Sequence, residues 1–135
     1  MAAILVVDDS LYLTKMTSLA LESEGHEVVA VGHDGQQGLD LYKEHKPDLT
    51  LLDITMPNKG GRYCLEEILA FDPTAKIVMV SAVSQASVVL ACLKIGALDF
   101  VKKPLNFTDE EFCKQFHATI DNALNADTSS RNIPL

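Results

Sequence analysis

The sequence predicts an α/β fold: a doubly wound, five-stranded parallel sheet of the (βα)5 type, with helices on both faces. Two observations predict it. Five short runs rich in Val, Ile and Leu alternate with amphipathic stretches of helical length. Most of the short runs are apolar on both faces, as strands buried under two helical layers are. This alternation is typical of a parallel sheet with right-handed crossovers.

The predicted elements follow one another in a regular order. The predicted strands are Ala3–Val7, Glu27–Val31, Asp48–Leu52, Lys76–Val80 and Ala97–Val101. The predicted helices are Ser10–Glu24, Asp34–His45, Gly61–Phe71, Ser84–Ile95 and Thr108–Ala126. A glycine or proline lies just beyond each of the first four helices, where such residues stop a helix. Thr108 is expected to cap the last helix, with acidic residues in its first turn.

The composition is that of one globular domain. The chain has 135 residues, 47% of them hydrophobic and 22% charged, which is enough to bury a core. We expect the domain to span 1–127 and the aperiodic segment 128–135 to be a disordered tail. With 11 Lys and Arg against 19 Asp and Glu, a direct nucleic-acid partner is disfavoured, because such binding needs excess positive charge.

Neither the cysteines nor the apolar runs suggest secretion or a membrane. Cys64, Cys92 and Cys113 have no metal or redox spacing, so we expect three buried thiols in a reducing compartment. The longest uncharged run, Ile77–Leu93, is interrupted by polar residues and is shorter than the roughly 20 apolar residues that cross a bilayer. We therefore expect a soluble, cytoplasmic protein without membrane insertion.

Polar residues follow four of the predicted strands. Asp8 and Asp9 come after the first strand, Asp53 after the third, Ser81 after the fourth, and Lys103 closely follows the fifth. Ligands of parallel α/β sheets bind beyond the carboxyl ends of the strands. Each residue alone is ordinary at a strand end, but their joint occurrence favours one shared site.

This set of side chains suits phosphoryl transfer assisted by a metal ion. Three crowded carboxylates raise one another's pKa unless a cation is present, and Mg²⁺ (or Mn²⁺) prefers such oxygen ligands. Asp53 can act as a nucleophile that forms an acyl phosphate. Lys103 supplies a fixed positive charge, and the Ser81 hydroxyl can donate to a phosphate oxygen.

The stretches that carry this chemistry resemble the receiver domains of response regulators, especially the stand-alone, CheY-like chemotaxis type. The matching stretches are ILVVDDS (Ile4–Ser10), LLDITMPNKGG (Leu51–Gly61), VSA (Val80–Ala82) and DFVKKP (Asp99–Pro104). The resemblance runs from about Ala3 to Ala126. It implies a flavodoxin-like fold and a role in a two-component phosphorelay.

The resemblance also implies a role for each site residue. Asp53 is the phosphorylated residue, and it binds the metal directly together with Asp9 and the main-chain carbonyl of Thr55. Asp8 acts mainly through a metal-bound water. Lys103 and Ser81 contact the phosphoryl group, and Ser81 moves toward it on activation.

Further positions carry implied roles or depart from the family pattern. Phe100 matches the aromatic switch that moves with Ser81, although many chemotaxis members have tyrosine there. Thr55 and Val83 occupy the positions that tune phosphate lifetime. Ser81 stands where Thr is commoner and keeps the hydroxyl, whereas Gly60–Gly61 replaces a frequent acid–glycine pair. Pro104 matches a proline that often follows a cis bond.

The expected partners are a histidine kinase and an unknown downstream protein or, on phosphorylation, a second copy of the chain. The fourth helix is apolar almost all round, which favours a binding surface there with the fifth strand and fifth helix. A wider buried stripe would explain the same pattern, so we expect Val89→Glu to separate the two explanations.

Other functions stay open. The chain is expected to be a signalling protein with self-catalysed phosphotransfer and autodephosphorylation, with chemotaxis as the favoured pathway. It would alternatively be the receiver part of a longer regulator with an output domain, a phosphate sink, or a phosphorelay intermediate. A phosphatase with an aspartate nucleophile is disfavoured, because Thr55 stands where such enzymes usually place a general acid.

Overall fold

Five parallel strands form one sheet in the computed structural model, which describes residues 1–129 apart from the side chain of Val83. The strands are β1 (Ala3–Val7), β2 (Glu27–Gly32), β3 (Leu49–Asp53), β4 (Ile77–Ser81) and β5 (Asp99–Lys102). They lie in the order β2-β1-β3-β4-β5, and every neighbouring pair is parallel. The predicted doubly wound α/β fold is confirmed.

A helix follows each strand. The helices of the described chain are α1 (Leu11–Ser23), α2 (Gly35–His45), α3 (Gly61–Phe71), α4 (Ala86–Ile95) and α5 (Glu110–Leu124). Strands β2, β3, β4 and β5 end one residue later than predicted, so that Asp53 and Ser81 are the last residues of their strands. The predicted start of the fourth helix is replaced by a 3-10 turn at Val83–Gln85.

The core lies in two layers because side chains alternate across each strand. In β1, Leu5 and Val7 face α2, α3 and α4, whereas Ile4 and Val6 face α1 and α5. Burial on both faces explains the continuous apolar runs in the sequence. It also leaves the strand ends as the place where polar side chains can meet.

Two local expectations need correction. The N-cap of α5 is Asp109 rather than Thr108, whose hydroxyl instead donates to Asn106 Oδ1 at 2.6 Å. The Thr108 N–H and hydroxyl both donate to Asn106, four residues before the helix start, so Thr108 belongs to the preceding turn. Glu110 and Glu111 do occupy the first turn, as expected. All three cysteines are free, but only Cys64 and Cys92 are buried, whereas Cys113 is half-buried.

The end of the described chain packs against the domain. Thr128 is buried, and its hydroxyl donates to the carbonyl of Thr74 at 2.6 Å. Residues 130–135 lie outside the described part, so the domain boundary at 127 stays a prediction. Within residues 1–129, no helix has the length and apolar character needed to cross a bilayer.

Candidate functional site

Three carboxylates meet at the carboxyl ends of β1 and β3. Asp8 directly follows β1 and Asp53 ends β3, and one oxygen from each lies within 4.8 Å of one from Asp9. Asp8 and Asp53 are buried, and Asp9 is exposed. The predicted convergence is confirmed for these residues. Their oxygens are the type of ligand that Mg²⁺ prefers, so the three could hold a divalent cation.

Lys103 contributes a positive charge to this cluster. Its Nζ lies 3.2 Å from Asp53 Oδ1 and 3.5 Å from Asp8 Oδ2. Its main-chain N–H donates to the carbonyl of Ser81 at 2.7 Å, which joins the residues after β5 to the end of β4. The Lys103–Pro104 peptide bond is cis.

The charge of the cluster is not balanced within the described chain. Asp53 is only 2% exposed, and its Oδ2 has no hydrogen-bond partner among the described residues. Burial and the neighbouring Asp8 carboxylate raise the pKa of Asp53 to about 6, although Lys103 acts in the opposite direction. An unpaired, buried carboxylate oxygen beside two further acids fits a site for a divalent cation.

Ser81 is buried at the end of β4, beside Asp53. The two strands are paired so that Asp53 lies opposite Val80, the residue before Ser81. The Ser81 hydroxyl donates to the carbonyl of Ala82 at 3.1 Å. The site therefore has a hydroxyl donor at its border, and in this structure that hydroxyl is bonded to the carbonyl of the next residue.

Gln85 belongs to the site but was not predicted from the sequence. Its Nε2 donates to the Thr55 hydroxyl, and its Oε1 accepts from the Ala82 N–H at 3.0 Å. The carboxamide thus joins the loop after β3 to the loop after β4. A glutamine three residues after a helix cap can accept from the cap's N–H, but the sequence pattern for this needs Ser or Thr at the cap, where this chain has Ala82.

Gly61 explains how α3 begins directly beside Asp53. A Cβ at this position would clash with the carbonyl oxygen of Asp53 and would lie 2.7 Å from Ile54 Cα. The Gly61 N–H donates to the Ile54 carbonyl at 2.8 Å. Position 60 differs, because a Cβ at Gly60 would make only an ordinary contact at 3.4 Å. Only the second glycine of the unusual pair is sterically required.

Comparison with known proteins identifies the family. Residues 4–115 match the sequence profile of the response regulator receiver domain. The chain belongs to this family. The chemotaxis protein CheY of Bacillus subtilis (strain 168) is 45% identical over 101 residues, which cover 75% of this chain and 84% of that protein.

Solved structures agree with this assignment. The response regulator domain of Thermotoga maritima CheB superposes with a TM-score of 0.84 at 30% identity, covering 93% of this chain and 97% of that one. A chain from the CheX–CheY–BeF3–Mg²⁺ complex of Borrelia burgdorferi has a TM-score of 0.79 at 34% identity, covering 89% and 87%. This receiver is therefore similar to both CheY and CheB receivers.

Phe100 of the receiver lies between two surface grooves. One groove, of about 340 Å³, is bordered by Ser81, Phe100 and the residues of α4. The other, of about 400 Å³, lies between Phe100, Pro104 and α5. The predicted pair of Ser81 and Phe100 thus borders one groove, and Phe100 is 37% exposed. The side chain of Val83, predicted to tune phosphate lifetime, lies outside the described part.

The apolar character of α4 is mostly due to burial. Val89 is 5% exposed and Cys92 is buried, while Val88 and Leu93 pack partly against the core. Leu90, by contrast, is 60% exposed. The wider buried stripe explains most of the pattern, and Val89→Glu is the wrong probe of a binding surface because it would place a charge in the core.

Proposed function

We propose that this chain is a response regulator that accepts a phosphoryl group from a histidine kinase on Asp53, with Mg²⁺ (or Mn²⁺) bound. One observation carries the proposal: a buried carboxylate with an unpaired oxygen lies beside two further acids and 3.2 Å from a lysine Nζ. Phosphoryl transfer needs these parts, namely a nucleophile, a cation site and a fixed positive charge.

Asp9, Asp53 and the main-chain carbonyl of Thr55 are the proposed direct metal ligands, and Asp8 the ligand through water. A bound divalent cation would supply positive charge against the carboxylates and the phosphoryl oxygens. The structural neighbour whose complex contains BeF3 and Mg²⁺ supports the choice of cation. The exposed position of Asp9 supports a metal site that is open to water and to the phosphodonor.

The proposed reaction moves a phosphoryl group from a histidine of the kinase to Asp53. A carboxylate oxygen of Asp53 bonds to phosphorus as the phosphorus–nitrogen bond breaks, and the released imidazole takes up a proton. With its pKa raised to about 6, Asp53 is still largely ionised at neutral pH, as a nucleophile must be. Lys103 and Ser81 would hold the phosphoryl oxygens, and water later hydrolyses the acyl phosphate.

Exposed apolar residues beside the site support a protein as the phosphodonor. Leu11 and Tyr12 begin α1 two residues after Asp9, and they are 73% and 71% exposed. Large exposed apolar side chains next to a reactive group favour docking of another protein. The kinase would then present its phosphohistidine to the edge that carries Asp53.

The downstream partner is proposed to bind α4, β5 and α5. Ser81 and Phe100 border the same groove, so movement of Ser81 toward a phosphate would change the surface at Phe100. The target would be another protein or, on phosphorylation, a second copy of this chain. Leu90→Glu should weaken that binding at least tenfold, as measured by titration, whereas Leu19→Glu on α1 serves as the matched control. Equal affinities for both variants would contradict this surface.

Phosphate lifetime and pathway complete the proposal. Thr55 and Val83 are proposed to tune hydrolysis, so Val83→Glu should change the rate of phosphate loss in a timed assay, and an unchanged rate would contradict the role. The CheY relative favours chemotaxis, and we propose a cytoplasmic location. The chain would act as a signalling protein rather than as an enzyme that releases a product.

Intact-mass spectrometry after incubation with a small acyl phosphate tests the proposal. We expect one phosphoryl adduct with Mg²⁺ and none with a chelator. Asp53→Asn should abolish the adduct, whereas Asp121→Asn, a control on the surface of α5, should retain it. No adduct on the wild-type protein, or an equal adduct on Asp53→Asn, would contradict the proposal.

A further inference from the structure

One carboxamide joins the two loops that flank Asp53. Gln85 donates from Nε2 to the hydroxyl of Thr55, two residues after Asp53. It accepts at Oε1 from the N–H of Ala82, which directly follows Ser81. The bridged residues Thr55 and Gln85 are 30 positions apart in the chain, so the contact joins segments that no local turn would hold together.

The Gln85 carboxamide accepts the hydrogen bond of the Ala82 N–H, a donor that a phosphoryl group on Asp53 could otherwise use. A phosphoryl group adds three strong acceptor oxygens. Next to Asp53, the Ser81 hydroxyl donates to the Ala82 carbonyl and the Ala82 N–H donates to Gln85. Both donors at the end of β4 are thus satisfied within their own loop. Releasing either of them for a new acceptor requires the loop after β4 to rearrange.

We propose that Gln85 is a positioning residue that holds the loop after β4 in its unphosphorylated arrangement, and that phosphorylation releases it from Ala82. This inference rests on the proposed phosphorylation of Asp53. The bridge stabilises the unmodified state only, because the Ala82 N–H cannot serve Gln85 and a new anion equally well. Removing the bridge therefore shifts the population toward the arrangement that accepts the anion.

Two substitutions at position 85 separate the hydrogen bond from Ala82 from the hydrogen bond to Thr55. Gln85→Leu has similar size and removes both hydrogen bonds. Gln85→Glu keeps an acceptor for the Ala82 N–H but loses the donor to Thr55. A half-buried position of this kind should tolerate both variants, and Gln85→Met, which also lacks both hydrogen bonds, replaces Gln85→Leu if that variant folds poorly. Gln115→Leu is the matched control, since Gln115 is exposed on α5 and bonds Glu111.

Calorimetric titration with beryllium fluoride in the presence of Mg²⁺ measures the effect. Gln85→Leu should bind this phosphoryl analogue roughly three- to tenfold more tightly than the wild type, since each net hydrogen bond changes an equilibrium by such a factor. Gln85→Glu should bind no more tightly than the wild type, because its carboxylate still accepts from the Ala82 N–H and adds negative charge beside the anion. Gln115→Leu should match the wild type. Thr55→Val combined with Gln85→Leu should give less than the product of the separate effects.

Amide hydrogen exchange provides a readout that does not depend on phosphorylation. The Ala82 N–H should exchange slowly in the wild type and faster in Gln85→Leu, with no change in Gln115→Leu. Wild-type affinity for beryllium fluoride in Gln85→Leu, or weaker binding, would overturn the role of Gln85 and leave the phosphorylation site intact. Failure of the wild-type protein itself to bind the analogue would overturn the proposed function and this inference together.

Discussion

The two ends of the sheet hold their polar groups in opposite ways. At the amino ends of the strands, a cavity of about 460 Å³ exceeds both grooves beside Phe100 in volume. Its polar lining is mutually paired: Tyr42 donates to Asp72 Oδ2 at 2.7 Å, and Lys76 donates to the carbonyl of Leu124 at 2.5 Å. At the carboxyl ends, by contrast, Asp53 Oδ2 is buried without a partner among the described residues.

The pKa values of Asp72 and Asp53, one at each end of the sheet, differ in the same way. Burial alone would raise the pKa of Asp72, but hydrogen bonds from Thr74 and Tyr42 outweigh it and hold that pKa below its usual value. Burial and Asp8 raise the pKa of Asp53 to about 6. Unbalanced charge, rather than cavity size, therefore marks the carboxyl end of the sheet as the ligand site. The paired polar groups of the amino end stabilise the fold.

The largest expected effect comes from the backbone around Asp53. Gly61→Ala should lower the free energy of unfolding by about 3 kcal/mol, because its Cβ meets main-chain atoms that cannot move aside. Denaturant unfolding of Gly60→Ala, which makes only an ordinary contact, gives the control. Equal stability of the two variants would show that the carboxyl end is less tightly built than the structure indicates.

The charge at Asp53 should appear as a dependence of stability on pH. Without a divalent cation, the pKa of Asp53 is about 6 in the folded protein and 3.8 in the unfolded chain, so the folded state binds its proton more tightly. The free energy of unfolding should therefore fall as the pH rises from about 4 to about 6. Above that range, Asp53→Asn should be more stable than the wild type by roughly 2 kcal/mol, because the buried charge is gone.

Mg²⁺ should act on the stability difference between the wild type and Asp53→Asn. Saturating Mg²⁺ should stabilise the wild type more than Asp53→Asn, since an ion that binds only the folded state raises its stability. Denaturant unfolding at pH 5 and pH 7.5, with and without Mg²⁺, measures both effects. A variant less stable than the metal-free wild type at pH 7.5 would contradict the view that charge at this end is unbalanced.

The amino end should respond in the opposite direction. Asp72→Ala should lower the free energy of unfolding by about 1.5 kcal/mol, because Tyr42 and Thr74 lose their acceptor. Since the pKa of Asp72 is lowered, its contribution is present at neutral pH and is lost as the pH falls below about 4. Thermal unfolding of Asp127→Ala, which loses an exposed carboxylate, is the control and should show little change.

The smallest effect concerns the end of the described chain. Thr128→Val keeps the shape of the buried side chain but removes its hydrogen bond to the Thr74 carbonyl. The free energy of unfolding should fall by about 1 kcal/mol, with Mg²⁺ affinity unchanged. A change in Mg²⁺ affinity would mean that the two ends of the sheet are coupled, and the comparison would fail.

The sequence patterns predicted the features that depend on the sheet topology, namely the strands and the meeting of the residues at their carboxyl ends. Parallel strands bring their carboxyl ends to one edge, so Asp8, Asp53, Ser81 and Lys103 were expected to converge and their placement followed from strand order. The strands themselves were recognisable because both faces are buried. Errors at element ends were small, as the shift of Asp53 into the last position of β3 shows.

Features that depend on loop conformation were not predictable in the same way. The bridge from Gln85 to Thr55 joins two irregular segments, and no periodicity relates them. The burial of Val89 against the exposure of Leu90 depends on how α4 is rotated on the sheet, and a helix that is apolar nearly all round carries no signal of that rotation. Thr108 is not the cap because it belongs to a turn closed by Asn106, and the helix starts one residue later than a cap at 108 would require.

Reductive trapping of the phosphorylated protein tests the central claim most directly. Borohydride reduces an acyl phosphate to an alcohol, so an aspartyl phosphate at position 53 becomes homoserine, which tandem mass spectrometry can locate. After incubation with a small acyl phosphate and Mg²⁺, homoserine should appear at Asp53 and not at Asp8, Asp9 or Asp72. Homoserine at any of those residues instead, or none at Asp53, would contradict the account.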